Sequence, residues 1–159
     1  MRQKKKLNWL IALLLMLGIS TQSFSQSLKE FFNNSEMQLT YLGIDFTKAR
    51  LINMPDANSF DIRNRLYGSI NDLVVNEPKK FDIAGAFHKS NVSSNLTAVR
   101  AKNDKINAEE IVSSNTDDFY RLKETDIAAV VKALNIDKKN GIGLLFVMEG
   151  MKKMDKKGV

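Results

Sequence analysis

The sequence contains no cysteine among its 159 residues. That absence excludes disulfide bonds, thiolate metal sites, cysteine nucleophiles and thiol redox chemistry. The fold must therefore depend on apolar packing without covalent cross-links. Only two prolines and eight glycines are present, and we find no internal repeat, which argues against a linker or a low-complexity chain.

Histidine is almost as scarce, because His88 is the only one. A single imidazole cannot make a histidine-rich metal site, and a Ser-His-Asp triad would lack the G-x-S-x-G motif that exposes a serine. His88 falls at a predicted helix end, where the helix dipole favours a cation; a general base is the alternative. Gly141-Ile142-Gly143 lacks the third glycine and the preceding strand of a dinucleotide fingerprint. We therefore expect neither a metal nor a cofactor.

Acidic residues are missing from the start of the chain as far as Glu30. A basic end precedes an apolar run over residues 7–19, and the small-x-small site Ser23-Phe24-Ser25 follows it. This order is typical of a secretory signal peptide over residues 1–25, cleaved between Ser25 and Gln26. The basic residues are Arg2, Lys4, Lys5 and Lys6.

A retained membrane anchor is the alternative to a cleaved signal. A spanning helix needs about 20 apolar residues, and this run is shorter. Without a cysteine after the run, a lipoprotein is excluded. We therefore expect a periplasmic or secreted protein that meets the membrane only transiently, through its signal peptide.

Basic charge is also sparse once the signal is removed. The formal charge of the whole chain is +6, and residues 1–25 hold four basic residues and no acid, so the mature chain carries +2. The lysine-rich residues 151–159 carry +3, which leaves residues 26–150 at −1. A nucleic-acid binder carries its basic charge on the folded body, so no nucleic-acid partner is expected.

The mature chain is long enough for one domain. We predict a linker over residues 26–36 and a single domain over residues 37–159. Leu42, Ile44 and Phe46 alternate with polar or small residues, which predicts a half-buried strand with Asp45 on its exposed face. Gly43 in this strand indicates a β-bulge or a close backbone approach.

Helical periodicity is clearest after residue 57. A helix running to about Asn76 is expected to bury an apolar stripe, with Asn71 pointing elsewhere. Pro78 can open a second helix over Lys79–His88, and residues 92–99 could form a short strand before a polar connection. The apolar stripe comprises Ile62, Leu66, Ile70, Leu73 and Val74.

The last part of the chain combines a helix with an apolar strand. Thr125 is expected to cap the helix, whose apolar stripe comprises Ile127, Val130, Val131 and Leu134. Residues 141–150 read GIGLLFVMEG, a continuous apolar run typical of a strand buried on both faces. A hairpin turn follows at residues 155–158 with only Val159 after it, so this strand lacks a return partner.

Two interpretations of that missing partner remain open. Either the strand lies at the edge of its sheet or the chain is truncated at its C-terminus, and truncation is favoured because so apolar a run is poorly suited to an edge. The fold class we predict is α+β or mixed α/β, with a single sheet, helices packed on it and the partner of the final strand missing.

The order of these segments resembles an uncharacterised family of exported α/β proteins from Bacteroidota-type bacteria. The resemblance rests on the LGIDF strand, on Glu77-Pro78-Lys79-Lys80-Phe81-Asp82 and on the GIGLLFVME run before a lysine-rich turn. It would cover most of residues 37–159 and implies an exported α/β domain with no known reaction. Members of that family are expected to continue through another strand, which this chain lacks.

Carboxylates are the remaining candidates for chemistry. Asp45 on the first strand and Glu149 at the end of the last could form a carboxylate pair; for Glu149 the alternative is a rim charge paired with Lys152 or Lys153. The adjacent acids Glu109-Glu110 and Asp117-Asp118 are interpreted as solvated.

Three functional hypotheses follow. The first is a non-catalytic envelope protein that binds another protein or a cell-surface component. The second is a carboxylate-based hydrolase acting on an envelope polymer, with Asp45, Glu149 and His88 as its candidate catalytic residues. The third is a truncated remnant with no function.

Overall fold

The computed structural model describes residues 28–134, 136, 141–152 and 157–158. The predicted signal peptide, its cleavage site at Ser25–Gln26 and most of the predicted C-terminal turn lie outside these residues. None of the helices in the described part of the chain has the length and hydropathy needed to cross a bilayer.

Within the described residues, seven strands form two small sheets, so the predicted mixed α/β class is confirmed, with its strands divided between two sheets. One sheet has the order β3-β1-β5 and is entirely parallel; the other has the order β4-β2-β6-β7, in which only β6 and β7 are antiparallel. The strands are β1 (Leu39–Asp45), β2 (Arg50–Ile52), β3 (Val92–Ser94), β4 (Val112–Ser113), β5 (Ile142–Val147), β6 (Gly150–Lys152) and β7 (Lys157–Gly158).

The two sheets are connected through two chain segments, because β1 leads into β2 and β5 leads into β6. The Met148 amide donates to Asp45 O at 2.9 Å, and the Arg50 amide donates to Glu149 O at 3.0 Å. A turn closed by Ala49 N and Phe46 O (2.9 Å) separates β1 from β2. This turn divides the single predicted sheet into two and opens a gap beside the carboxyl end of β1.

Helices cover the connections between the parallel strands, as parallel sheets require. A three-residue helix, a π-helical turn (Ile62–Leu66) and a longer helix run without a break from Ser59 to Asn76, which confirms the first predicted helix. Leu73 of its predicted buried stripe is exposed. Asn58 caps its start by accepting from Asp61 N at 3.0 Å. The helices are α1 (Leu28–Asn33), α2 (Ser59–Asp61), α3 (Tyr67–Asn76), α4 (Ile83–Phe87), α5 (Thr97–Asn103) and α6 (Glu124–Ala133).

The second predicted helix is shorter than expected. Lys80 N and Phe81 N both bond to Glu77 O, which forms a turn where the helix was predicted to begin. Helix α4 begins later, and Asp82 caps its start by accepting from Gly85 N at 2.8 Å. It ends at His88, whose φ of 51° places it in the left-handed region.

Residues 92–107 were also predicted incorrectly. The strand stops at Ser94, and α5 occupies the predicted end of that strand and much of the polar connection. A local contact precedes the helix, because the Asn95 side chain accepts from Thr97 N at 3.2 Å and turns the chain just before α5 begins. Helix α5 then buries Val99 and Asn103, four residues apart on one face.

The prediction that β5 is buried on both faces is wrong. Phe146 is 46% exposed, and no strand among the described residues pairs with the outer edge of β5. On α6, Val130 and Leu134 are buried as predicted, whereas Ile127 and Val131 are exposed. Both elements therefore present part of their apolar surface to solvent.

Two smaller predictions also differ from the structure. Helix α6 begins at Glu124, and the Lys123 amide donates to Asp126 Oδ2 at 2.9 Å, so Thr125 is not the cap. Within the predicted linker, α1 packs Phe31 into the fold, where this side chain is only 2% exposed.

The principal core lies between the first helical segment and the second sheet. Phe46 and Tyr67 stack with ring centroids 4.1 Å apart and planes within 3°. Aliphatic side chains from β2 and from the segment before β4 enclose this pair. The buried members of the cluster are Phe46, Ala49, Leu51, Tyr67, Ile106 and Ile111.

Candidate binding site in a basic cleft

Two asparagine side chains hold the carboxyl end of β1. The Ile44 amide donates to Asn71 Oδ1 at 2.6 Å, and Asn71 Nδ2 donates back to Ile44 O at 3.1 Å. Asn103 Nδ2 donates to the same carbonyl at 3.0 Å, and its Oδ1 accepts from Phe46 N at 2.9 Å. Because β3 pairs with β1 only as far as Tyr41, these amides replace the neighbouring strand beyond that point.

Gly43 makes this arrangement possible, and the close approach predicted for it is confirmed. Its φ is +104°, and the β1–β5 register shifts at this position. A Cβ here would lie 2.7 Å from Val99 Cγ1 and 2.8 Å from Asn71 Oδ1. Only glycine lets α3 and α5 approach the strand this closely.

Asp45 is fully buried, so its predicted position on an exposed face is wrong. Its Oδ1 accepts from Thr47 N at 2.8 Å and from the Thr47 hydroxyl. The Lys102 ammonium lies 3.2 Å from Oδ2, although no well-directed hydrogen bond reaches that oxygen. Lys102 also donates to Val130 O at 3.2 Å, so one lysine links β1, α5 and α6.

A cleft of about 400 Å³ opens beside Lys102, between the connection from β1 to β2 and the segment over residues 102–111. We call it the basic cleft. Three cationic side chains and one carboxylate contribute to its walls, together with polar and aliphatic residues. The lining residues are Thr47, Arg50, Lys102, Lys105, Ile106, Asn107, Glu110 and Ile111.

The cations of the basic cleft are poorly neutralised. Lys102 faces Asp45, and Glu110 accepts from Asn107 Nδ2 at 2.8 Å. Within the described part of the chain, neither Arg50 nor Lys105 has a carboxylate within 4.0 Å. Arg50 Nη1 instead donates to Ala49 O at 3.0 Å, which leaves most of its donors available to a ligand.

Tyr67 lies in the core that backs this cleft. Burial raises the pKa of its phenol to about 12, and the charge of Arg50 opposes that rise. Its hydroxyl has no hydrogen-bond partner among the described residues. The Arg50 guanidinium is therefore close enough to act on a buried phenol while it also lines an open cleft.

Glu149 is held by a different set of contacts. Its carboxylate accepts from Leu122 N at 2.5 Å, and Arg121 Nη2 donates to its main-chain oxygen at 3.3 Å. Arg121 also donates to Lys48 O. Lys153, one of the two lysines predicted as alternative partners of Glu149, lies outside the described residues.

The structure does not bring the predicted carboxylate pair into a common site. Asp45 is enclosed by Thr47 and Lys102, whereas Glu149 fixes the start of the segment before α6, and neither residue lines the basic cleft. A fully buried carboxylate has no surface with which to touch a polymer. The hydrolase hypothesis gains no support from this geometry and stays an untested prediction.

The other predicted candidates lie on the surface. His88 is exposed, and it ends α4 through its main chain, since its N–H donates to Gly85 O at 3.2 Å. Glu109-Glu110 and Asp117-Asp118 lie in short 3₁₀ turns. No group of three or more potential metal ligands occurs within the residues that the structure describes.

Comparisons with protein families, curated proteins and solved structures find no match for this chain. The resemblance to an exported Bacteroidota-type family therefore stays a prediction.

The basic cleft was not predicted from the sequence. Arg50 lies about 50 residues before Lys102 and Lys105 along the chain, and all three are embedded in segments of mixed charge. The prediction that Asn71 points away from the buried stripe is also wrong, because Asn71 lies four residues after Tyr67 and both are buried on one face of α3.

Proposed function

We propose that this protein is an exported, non-catalytic binding module whose basic cleft holds an acidic group of an envelope component. The acidic group is a carboxylate or a phosphate carried by a protein or a polymer. The observation that carries the proposal is the position of Arg50, which lines an open cleft with two lysines and has no carboxylate partner among the described residues.

The charges favour a ligand of modest affinity. The Asp45–Lys102 pair is neutral, so Arg50 and Lys105 set against Glu110 leave the cleft with one net positive charge. Lys102 is only 22% exposed, and a partly buried cation interacts more strongly than one in open solvent because water screens it less. The affinity for the ligand should therefore fall as the salt concentration rises, although charge is not its only source.

The guanidinium gives the cleft its selectivity. Arginine presents a planar set of donors that matches carboxylate and phosphate oxygens in pairs. Thr47 and Asn107 add polar groups to the walls, and Ile106 and Ile111 add apolar surface. A cleft of about 400 Å³ is large enough for an acidic sugar or a phosphate ester.

Titration calorimetry of the purified protein with glucuronate and with inorganic phosphate tests the proposal. The variant Arg50→Gln should lose about tenfold or more in affinity, since a charge-assisted hydrogen bond contributes about 1.5–3 kcal/mol. Arg65→Gln is the matched control, because Arg65 is exposed and is paired with Asp61 at 2.7 Å.

The two probes also separate the sources of the acidic group. Preference for glucuronate indicates a carboxylate polymer, and preference for phosphate indicates a phosphorylated component. The proposal fails if neither probe binds the wild-type protein, or if Arg65→Gln weakens binding as much as Arg50→Gln does.

A further inference from the structure

A second cavity lies on another part of the molecule, between the end of α3, the start of α4 and the β1–β3 edge. We call it the apolar pocket. Its volume is about 270 Å³, and it shares no lining residue with the basic cleft. Its walls are mainly aliphatic and aromatic, and the residues that matter here are Tyr41, Val74, Val75, Phe81, Ile83 and Val92.

Tyr41 is the buried polar residue of this pocket. Its side chain is 1% exposed, and its hydroxyl has no hydrogen-bond partner among the described residues. Burial raises the pKa of this phenol to about 12, so it is a neutral donor at physiological pH. Buried hydroxyls nearly always have a partner, and a ligand bound beside Tyr41 could provide one.

Local hydrogen bonds fix the mouth of the pocket. The Glu77 carbonyl accepts from both Lys80 N and Phe81 N, and Asp82 caps α4. Lys80 lies 5.2 Å from the centre of the Phe81 ring. The turn that replaced the predicted helix therefore holds Phe81 in the wall, so this side of the pocket is formed before any ligand binds.

The charges around the pocket limit what can enter. Among the described residues, no cationic side chain lines it, and its one lining carboxylate is Asp82, which is exposed. An anionic ligand is disfavoured because the apolar walls would remove it from water without offering it a cationic partner. The volume lies just below the roughly 300–1,000 Å³ typical of sites for drug-sized molecules, which suits a single ring or a short alkyl chain.

We propose that the apolar pocket binds a small uncharged molecule, of about the size of one substituted ring, that carries one oxygen able to accept a hydrogen bond from Tyr41. The apolar walls provide the main attraction by removing the ring from water. The Tyr41 hydroxyl provides the selectivity for the oxygen.

Three probes in NMR titrations of the full protein test this assignment: acetophenone, ethylbenzene and benzoate. Acetophenone should bind and shift the methyl signals of Val74, Val75, Ile83 and Val92. Ethylbenzene, which lacks the oxygen, should bind about fivefold or more weakly, and benzoate should not bind. The Tyr41→Phe variant should abolish the preference for acetophenone.

A pair of variants on α4 provides the steric control. Ala84 lines the pocket, whereas Ala86 is exposed and does not. Ala84→Leu should block both neutral probes, and Ala86→Leu should retain them, with thermal melts to show that each variant is folded. The methyl mapping on the wild-type protein does not depend on either variant.

Three results would overturn the proposal. They are shifts that map outside the pocket or do not occur, equal binding by Ala84→Leu and Ala86→Leu, and an unchanged preference for acetophenone in Tyr41→Phe.

Discussion

At the carboxyl end of β1, side chains form the hydrogen bonds that a neighbouring strand would otherwise form. Asn71 and Asn103 together bond two main-chain amides and one carbonyl of residues 44–46. A buried main-chain group without a partner costs about 1–3 kcal/mol, so these two residues determine whether the strand can end here at all. They also place Lys102, which precedes Asn103, beside Asp45.

Replacement of Gly43 should be costly. The change Gly43→Ala should lower the free energy of unfolding by about 2–4 kcal/mol, because the positive φ is strained for alanine and the methyl group overlaps Val99 and Asn71. Urea denaturation measures this change.

Gly68 provides the matched control for that experiment. It lies inside α3, and a Cβ there would have no neighbour within 4 Å. Gly68→Ala should raise the free energy of unfolding by about 0.5–1 kcal/mol, from helix propensity. Equal effects of the two substitutions would contradict the close approach at Gly43.

The two buried phenols predict a loss of stability at alkaline pH. The pKa of Tyr67 is about 12 in the folded state, against 10.0 for the free side chain. A raised pKa favours the protonated form in the fold, so its contribution is complete below pH 10 and is lost as the pH rises from 10 to 12. Tyr41 acts in the same direction.

Urea midpoints at pH 8, 10 and 11.5 should fall less steeply with pH in Tyr67→Phe than in the wild-type protein. Near neutral pH this variant should be as stable as the wild type or slightly more so, since it removes a hydroxyl with no partner in the described structure. Tyr120→Phe, at a side chain that is 87% exposed, should leave the pH dependence unchanged. Identical slopes in all three proteins would contradict the assignment to Tyr67.

At the scale of elements, sequence periodicity correctly predicted those elements whose structure depends on local contacts. The stripe after residue 57 predicted a continuous helical segment, and that segment runs from Ser59 to Asn76. The LGIDF strand and its unusual Gly43 were also found. Each depends on residues close together in sequence, where spacing maps directly onto a helix face or a strand face.

The errors share a physical origin in tertiary context. An apolar run such as residues 142–147 has the same pattern whether its strand is central or at an edge, and β5 lies at the edge of its sheet in the described part of the chain. Asp45 alternates with apolar residues, yet Lys102 and Thr47 make its burial possible. The basic cleft combines segments near residues 50, 102 and 110, and no pattern within one segment reports their meeting.

Lys89 holds α1, which lies within the predicted linker, in place. Its buried ammonium donates to Phe31 O and, at 2.8 Å, to Asn34 O, and it lies 3.9 Å from the centre of the Phe31 ring. A cation at the C-terminal end of a helix also complements its dipole. Lys89 therefore holds α1 against the domain.

The Lys89→Met variant should release α1 selectively. It keeps the apolar stem but leaves two helix-end carbonyls without a donor, so hydrogen exchange over residues 28–34 should become much faster. The free energy of global unfolding should fall by about 1–3 kcal/mol. Lys79→Met, at an exposed position, should change neither quantity, and unchanged exchange in α1 of Lys89→Met would show that the helix is held in some other way.

At the scale of the molecule, both candidate sites lie where pairing of the parallel strands stops. The basic cleft opens where β1 gives way to β2, and the apolar pocket opens beside the three-residue strand β3. In α/β folds, ligand-binding sites typically lie at such interruptions, at the carboxyl ends of strands. The two ligands that we propose, an acidic group and an uncharged ring, would therefore bind at separate places.

Export is the prediction on which the envelope setting depends. Expression of the full reading frame in a bacterial host should yield a soluble periplasmic or secreted product that begins at Gln26, as measured by intact mass and N-terminal sequencing. Such a cut lies before α1, which begins at Leu28, so the mature protein keeps the helix that Lys89 holds. Leu14→Arg interrupts the apolar run and should leave the whole chain in the cytoplasm, whereas Leu73→Arg, on an exposed part of α3, should still be processed. A full-length product in the membrane fraction would instead identify residues 7–19 as a retained anchor and would remove the argument for a freely diffusing binding module.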